Sequence, residues 1–365
     1  MKRIAIFLLL FVLIFSACSK PPEDTSPPTA APTPVQTKSP TPTPAPKPTP
    51  VPTPKPEPIR HPLNGSPVDE QYVDKRPYAV MINNLSAALP QRGIAGADVI
   101  YEVLAEGGIT RMLAVFSDIH DAGVLGSIRS IRPYYLEISR AYDAIVVHAG
   151  GSEQAYFDIP NKGIDNMDGV RGAYGGSIFY RDPNRMYSGY EHSLFTTSEL
   201  IEEYTTIMKL RTEHESEIDY GFKFNLNATP EDGEPATAIT VKFAGYKSSD
   251  FNYDEAEGVY YMTQFSKQYV DDNTKSAVGF ANVLVLYAET ATIADEYSHL
   301  DVSLSGSGKG YFANGGKITP IEWQRKGDGA VFTYTNADGS QLEFGVGKTF
   351  ICVVPNATST GFSYS

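Results

Sequence analysis

The chain has 365 residues, which is enough for two domains of ordinary size. Its formal net charge of -13 argues against nucleic acid, teichoic acid or anionic lipid as a partner, because the field of such an acidic protein repels polyanions.

The N-terminus has the layout of a lipoprotein signal peptide, residues 1–18. Lys2 and Arg3 precede an apolar run at residues 4–15, which is too short to span a bilayer comfortably and fits a secretory signal. The next residues are similar to the bacterial lipobox, with Phe15 in place of the usual Leu and Cys18 as the lipidated cysteine. The alternative is a plain N-terminal anchor helix. Lipidation predicts attachment at the extracytoplasmic face of the membrane through a diacylglyceryl group, since one acyl chain holds only weakly.

Proline and threonine dominate the next segment, residues 19–66. This composition cannot bury a core, and proline favours extended polyproline II geometry. At ~3.1 Å per residue, about 40 residues reach on the order of 100 Å. We therefore expect a disordered stalk that carries the folded part away from the membrane, through or across a cell wall.

The folded part is predicted to be α+β, with an α/β domain at residues 67–215 and a mostly β domain at residues 216–365. In the first domain, apolar periodicity predicts a mixed sheet flanked by helices, with strands at 76–83, 97–105, 110–117 and 144–148 and helices at 133–142 and 197–210. In the second domain, short alternating runs predict strands at 238–243, 259–265, 282–287, 310–312, 329–334 and 349–354. Cys352 in the last of these is expected to pack as a small apolar residue.

The first two charged candidates lie on a predicted hairpin whose turn is Gly107-Gly108. A two-residue turn pairs Leu104 with Arg111, so that Glu102, Glu106 and Arg111 share one face of the hairpin. We then expect Arg111 to contact at least one of the two glutamates. Either an ion-pair network or an acid/base role fits this arrangement, although a separation of roughly 13 Å between the carboxylates is too large for a glycosidase pair.

A second group of candidates precedes the helix predicted at 133–142. Arg129 and Arg132, with Ser127 and Ser130 beside them, stand where a helix offers unpaired N–H groups and arginine offers forked hydrogen bonds. The pattern indicates an anion-binding site. The alternative is that the arginines pair with nearby carboxylates such as Glu102, Glu106 or Asp98.

Two histidines are candidates for a proton carrier. His148 ends a predicted buried strand, and ligands of doubly wound sheets lie beyond such strand ends; His192 lies in a Tyr-Glu-His-Ser-Leu-Phe segment. For His148 the alternative is a core histidine with satisfied hydrogen bonds. The spacing of His and Cys matches no zinc motif, so we predict neither a metal nor a cofactor.

The chain resembles the YerB-like bacterial lipoprotein family, known as domain of unknown function 3048. The resemblance rests on the segments 76–83, 97–102, 106–111, 126–134, 148–152, 282–283, 306–311 and 345–355, and it departs at Glu191-His192-Ser193-Leu194-Phe195, where a Pro-His-Asn-Leu-Tyr type of run is expected. It implies a two-domain envelope lipoprotein, typically of Gram-positive bacteria, and implies no activity.

Two hypotheses follow for the function. One is a lipoprotein that binds an anionic cell-wall fragment or an envelope protein in a pocket where Glu102, Arg111, Arg129, Arg132 and His148 converge. The other is a hydrolase or lyase acting on a cell-wall glycan or peptide, with a glutamate as acid/base and a histidine as proton carrier. The sequence favours binding, because it contains no nucleophile–base spacing and no metal motif, but it leaves enzymatic activity open.

Overall fold

The structure, a computed structural model of the chain, describes residues 58–356 and 361–365. The predicted signal peptide, the predicted lipidation site Cys18 and most of the Pro/Thr-rich segment lie outside these residues.

The N-terminal part contains eight strands and four α-helices among the described residues. The strands are β1 (Tyr78–Asn83), β2 (Val99–Leu104), β3 (Thr110–Phe116), β4 (Val124–Gly126), β5 (Ile145–His148), β6 (Asn166–Asp168), β7 (Tyr180–Arg181) and β8 (Leu194–Thr197). The helices are α1 (Pro133–Ala141), α2 (Glu153–Asn161), α3 (Gly175–Ile178) and α4 (Ser198–Ile207).

The C-terminal part consists of strands and their connections. They are β9 (Lys223–Asn225), β10 (Glu234–Pro235), β11 (Ala238–Ala244), β12 (Lys247–Asp254), β13 (Val259–Gln264), β14 (Lys267–Gln268), β15 (Gly279–Phe280), β16 (Asn282–Ala288), β17 (Thr290–Thr292), β18 (Leu300–Val302), β19 (Gly306–Asn314), β20 (Lys317–Arg325), β21 (Thr333–Asn336), β22 (Glu343–Gly345), β23 (Thr349–Pro355) and β24 (Phe362–Tyr364).

A mixed eleven-stranded sheet runs through both parts, in the order β10-β20-β19-β16-β23-β2-β3-β1-β5-β6, with β21 paired to β20. Strand β23 lies between β2 and β16 and is parallel to both. All seven of its residues are buried, which fits a central strand covered on both faces. The N-terminal part thus has a mixed sheet, whereas the C-terminal pairings are mostly antiparallel, as predicted for an α+β fold.

Different layers cover the two faces of this sheet. On one face, Tyr135 and Ile138 of α1 pack on Val103 and Leu113 of the hairpin. On the other face lies an antiparallel sheet ordered β14-β13-β12-β11-β24, with β15 paired to β13. Its β11 alternates buried and half-buried residues, because only one side of that strand faces the core.

The β2–β3 register differs by one residue from the prediction. Val103, not Leu104, pairs with Arg111, and Glu102 pairs with Met112. The connection is longer than the predicted two-residue turn, because residues 106–108 form a 3-10 turn in which Gly107 has a φ of 70°. Since neighbouring side chains on a strand point to opposite faces, a one-residue slip places Glu102 and Arg111 on opposite sides of the sheet.

The folded part also begins earlier than residue 67. Leu63 is only 1% exposed and belongs to the core on the α1 side of the sheet. The Pro/Thr composition ends near residue 58, and the residues that follow it already contribute Leu63 to the core.

Candidate functional site

The three predicted arginines meet beside the ends of β1 and β3. Arg111 is the second residue of β3, while Arg129 and Arg132 lie on the extended segment that runs along β1 into α1. The backbone N–H of Arg129 donates to the carbonyl of Met81 in β1 at 3.0 Å, which fixes this segment against the sheet. We call Arg111, Arg129 and Arg132 the arginine cluster.

One carboxylate, Glu106, is shared by two members of the arginine cluster. Nη2 of Arg111 donates to Oε1 of Glu106 at 2.8 Å, so the predicted contact across the hairpin is confirmed for Glu106. Arg132 donates to both carboxylate oxygens of the same residue, with Nε 3.3 Å from Oε2. Although burial opposes ionisation, the charges of Arg111 and Arg132 lower the pKa of Glu106 to about 2.

The cluster carries more positive charge than Glu106 can balance. Arg129 makes one long hydrogen bond, from Nη1 to the carbonyl of Glu191 at 3.3 Å. Within the described residues, no acceptor lies within hydrogen-bond distance of the buried Nε atoms of Arg129 and Arg111. Burial, together with the nearby charge of Arg111, lowers the pKa of Arg129 to about 10. The cluster is therefore a partly buried cationic site with unused donors.

The two serines of the predicted anion site differ in accessibility. Ser127 is fully buried, its N–H donates to Oε1 of Gln91 at 2.8 Å, and its carbonyl accepts from the N–H of Asn83. Ser130 is half-buried, and its hydroxyl donates to the carbonyl of Ala149 at 3.0 Å. Ser130 can thus reach a ligand from solvent, whereas Ser127 cannot.

Glu102 does not join the arginine cluster. It is fully buried on the opposite face of the sheet, where its carboxylate pairs with Nζ of Lys247 at 3.0 Å. The hydroxyls of Thr110 and Ser249 and the amide of Asn84 also donate to this carboxylate. The prediction that Glu102 lines the pocket is wrong, because the slip in hairpin register turned its side chain into the core between the two sheets.

His148 is also a core residue. Its ring is fully buried, with Nδ1 2.9 Å from the carbonyl of Gly150 and Nε2 3.2 Å from Oδ1 of Asn166. Asp168 lies 3.8 Å from Nδ1, and the ring of Tyr156 is tilted at 57° with its centroid 6.5 Å away. The ring of His148 therefore faces β6 and α2 rather than the arginines. Of the five residues predicted to converge on one pocket, Glu102 and His148 lie elsewhere in the core. The three arginines lie near one another, but Arg132 is the one of them that lines the cleft beside the cluster.

His192 is the histidine that lies near the cluster. Its Nδ1 is 2.8 Å from Nδ2 of Asn83, the residue that pairs with Arg111 between β1 and β3. Burial lowers the pKa of His192, the charge of Arg129 acts in the same direction, and the charge of Glu191 opposes them. His192 is therefore neutral at pH 7, and it carries a proton only under more acidic conditions.

A cleft of about 670 Å³ opens beside the cluster. Ser130, Arg132 and Ser152, the N-cap residue before α2, line one end. The flap, which we define as residues 290–302 with strands β17 and β18, lines the other. Glu137 of α1 lies in this cleft and binds the buried Arg325, with 2.9 Å between Oε2 and Nη1. Burial raises the pKa of Glu137, and the pairing with Arg325 opposes this shift.

The sequence did not point to the flap or to Glu137. A glutamate in the middle of an amphipathic helix is usually exposed to solvent. The residues near Glu137 in sequence give no indication that Arg325 is its partner. His299 also lines the cleft, with Nδ1 2.6 Å from Oδ2 of Asp295.

Within residues 58–356 and 361–365, no group of three or more His, Cys, Asp or Glu side chains is arranged to hold a metal ion. None of the helices in the same ranges combines the length and the apolar character needed to cross a bilayer.

Cys352 is a free, fully buried thiol, and burial raises its pKa well above the ordinary value, so it packs as a small apolar residue as predicted.

The chain matches the models of a known protein family. Residues 63–211 match the model described as "Protein of unknown function (DUF3048) N-terminal domain", and residues 239–351 match the corresponding C-terminal domain. The chain is 28% identical over 316 residues to the protein named "Putative lipoprotein YerB" of Bacillus subtilis (strain 168), covering 84% of this chain and 89% of that protein.

A solved structure is similar as well. The crystal structure of the YerB protein from Bacillus subtilis aligns with a TM-score of 0.73 at 28% identity, over 84% of this chain and 99% of that one. The two matched domains span most of the sequence, from residue 63 to residue 351. The chain therefore belongs to the DUF3048 family of proteins of unknown function.

Proposed function

We propose that this protein is a lipid-anchored lipoprotein of the cell envelope that binds a carboxylate-bearing wall fragment at the arginine cluster. Anchoring is supported by the signal-like N-terminus with Cys18 and by the name of the Bacillus subtilis relative. The Pro/Thr-rich segment would then carry the binding part away from the extracytoplasmic face of the membrane. The relative from Bacillus subtilis supports a Gram-positive envelope.

The observation that carries the proposal is the charge imbalance of the cluster. Two of the arginines, Arg111 and Arg132, share the single carboxylate of Glu106, and Arg129 forms no ion pair among the described residues. Nε of both Arg111 and Arg129 lacks an acceptor within the same residues. An unpaired buried cation destabilises a fold, and an anion that supplies the missing charge and acceptors removes that cost. Arginine binds carboxylates through paired N–H···O bonds, which makes a carboxylate the fitting anion.

Binding is better supported than hydrolysis. Glu102 is sealed in the core with Lys247. Glu106, with a pKa lowered to about 2, is ionised at neutral pH and cannot supply a proton as a general acid. Neither predicted acid/base residue therefore has the protonation state and access that hydrolysis requires.

The test is the double variant Arg129→Ala/Arg132→Ala in the full chain in detergent micelles. It leaves Arg111 and Glu106 as a balanced pair, so the fold should persist. The probe is soluble muropeptides released from Gram-positive cell wall by a muramidase, and the measurement is isothermal titration calorimetry. We expect affinity to fall roughly tenfold or more, because a hydrogen bond to a charged group contributes about 1.5–3 kcal/mol.

A matched control removes the same charge elsewhere. Lys267 and Lys326 are exposed and do not line the cleft, so Lys267→Ala/Lys326→Ala should bind as the parent does. Equal binding by the arginine variant, or no binding by the parent at millimolar muropeptide, would overturn the proposal.

A further inference from the structure

We propose that the cleft between α1, α2 and the flap selects a zwitterionic ligand, whose carboxylate lies at the Arg132 end and whose ammonium group lies under the flap. This inference rests on the proposed function, because Arg132, one member of the arginine cluster, lines the carboxylate end of the cleft. It adds a cationic group that the cluster itself cannot recognise.

At the Arg132 end of the cleft, some hydrogen-bond donors have no partner in the protein. Arginine carries five N–H donors, and three of those on Arg132 are used, by Glu106 and by the carbonyl of Ile131. The half-buried Ser130 and the first residues of α2 lie at the same end. This end therefore accepts an anion.

The flap end has the opposite charge. Glu296 and Asp301 are both exposed on the flap, and no cation among the described residues forms an ion pair with either. The other cleft carboxylates already have partners: Glu153 binds Arg171 at 2.5 Å, and Asp295 binds His299. Two unneutralised carboxylates at the mouth of a cleft repel a purely anionic ligand and attract an ammonium group.

The two ends are close enough to be spanned by one small molecule. A hydrogen bond to Glu296 raises the pKa of Tyr297 at the tip of the flap, and the charge of Glu153 at the start of α2 adds a smaller effect in the same direction. Tyr297 and Glu153 also line the same cleft. The volume of about 670 Å³ lies within the range of roughly 300–1,000 Å³ found for small-molecule sites. A short peptide with a free carboxylate and a free amine has both the size and the charges that this cleft requires.

The experiment compares lysine-containing muropeptides before and after acetylation of their free amines, which removes the positive charge and keeps the carboxylates. We expect acetylation to weaken binding to the parent chain roughly fivefold or more. In the variant Glu296→Gln/Asp301→Asn, intact and acetylated ligands should bind equally. The control Glu231→Gln/Asp232→Asn makes the same charge change at exposed positions outside the cleft and should retain the parent's preference.

The failures of the two proposals can be distinguished. If acetylation leaves affinity unchanged while Arg129→Ala/Arg132→Ala still abolishes binding, the cleft is an anion site only and the zwitterion inference is wrong. If the arginine variant binds as the parent does, or the parent binds neither ligand, the proposed function fails and this inference fails with it.

Discussion

Glu102 and Lys247 form a fully buried ion pair, with 3.0 Å between Oε1 and Nζ, that joins the central sheet to strand β12 of the second sheet. Each residue lies on a different layer of the core, and they are 145 positions apart in sequence, from 102 to 247. The pair therefore links the N-terminal and C-terminal parts through the interior rather than through a solvent-exposed contact.

We expect Lys247→Met to destabilise the protein by about 3–5 kcal/mol, because it leaves the Glu102 carboxylate buried without a counter-charge. The double variant Glu102→Gln/Lys247→Met should recover a large part of this loss. Urea unfolding of the full chain gives the free energies. A Lys247→Met protein as stable as the parent would show that this carboxylate is not sealed in the core.

The pH dependence of stability should report on Glu106. Its pKa in the folded protein is about 2, against an ordinary value of 4.5. Because the folded pKa is the lower one, the stabilisation is fully present above pH 4.5 and is lost as the pH falls towards 2. This difference between the two pKa values of Glu106 corresponds to roughly 3 kcal/mol in the free energy of unfolding.

Accordingly, Glu106→Gln should be less stable than the parent at pH 7, and the difference should shrink steadily between pH 4.5 and pH 2. The exposed Glu257→Gln serves as the control and should follow the parent at every pH. Urea midpoints at several pH values measure this, and a constant difference across the whole range would argue against the shared ion pair.

Arg129 should be dispensable for folding. Its pKa is lowered from 12.5 to about 10, so the folded state disfavours the charged guanidinium that is present at pH 7. We expect Arg129→Ala alone to unfold at the same urea concentration as the parent or at a higher one. A loss of more than about 1 kcal/mol would mean that Arg129 stabilises the fold through contacts with the protein.

The thiol of Cys352 should not react with thiol reagents in the folded protein. The thiol is fully buried and its pKa is raised, so little thiolate forms and no reagent reaches it. A thiol reagent such as dithionitrobenzoate should label Cys352 in urea and not in native buffer. Rapid labelling of the native chain at this position would contradict the packing of β23.

Much of the local structure could be predicted because it is encoded within short segments. The predicted helix at 133–142 is α1, and the predicted strand at 144–148 is β5, since apolar periodicity and the position of Pro133 are local signals. The pairing of β23 with β2 could not be predicted, because it joins residues about 250 positions apart and any buried apolar strand could fill that place.

The candidate site was predictable only in part, for related reasons. Arg129 and Arg132 were found because they precede a helix on one short segment. Glu102 was misplaced because the turn at Gly107 has one residue more than a two-residue hairpin turn. Side chains alternate between the two faces of a strand, so this one-residue change moves each of them to the face opposite the predicted one. Glu137 and the flap were missed because their neighbours in the cleft come from distant segments.

The central claim, that the arginine cluster binds an anion, is tested most directly by arginine side-chain NMR. In the full chain in micelles, the Nε–H resonances of Arg129 and Arg132 should shift when carboxylate-bearing muropeptides are added. The resonance of Arg140, which pairs with Asp328 at the other end of α1, should stay in place. Saturable shifts at Arg129 and Arg132, with the Arg140 resonance unchanged, are the expected result, and unchanged resonances at both residues under millimolar muropeptide would contradict the claim.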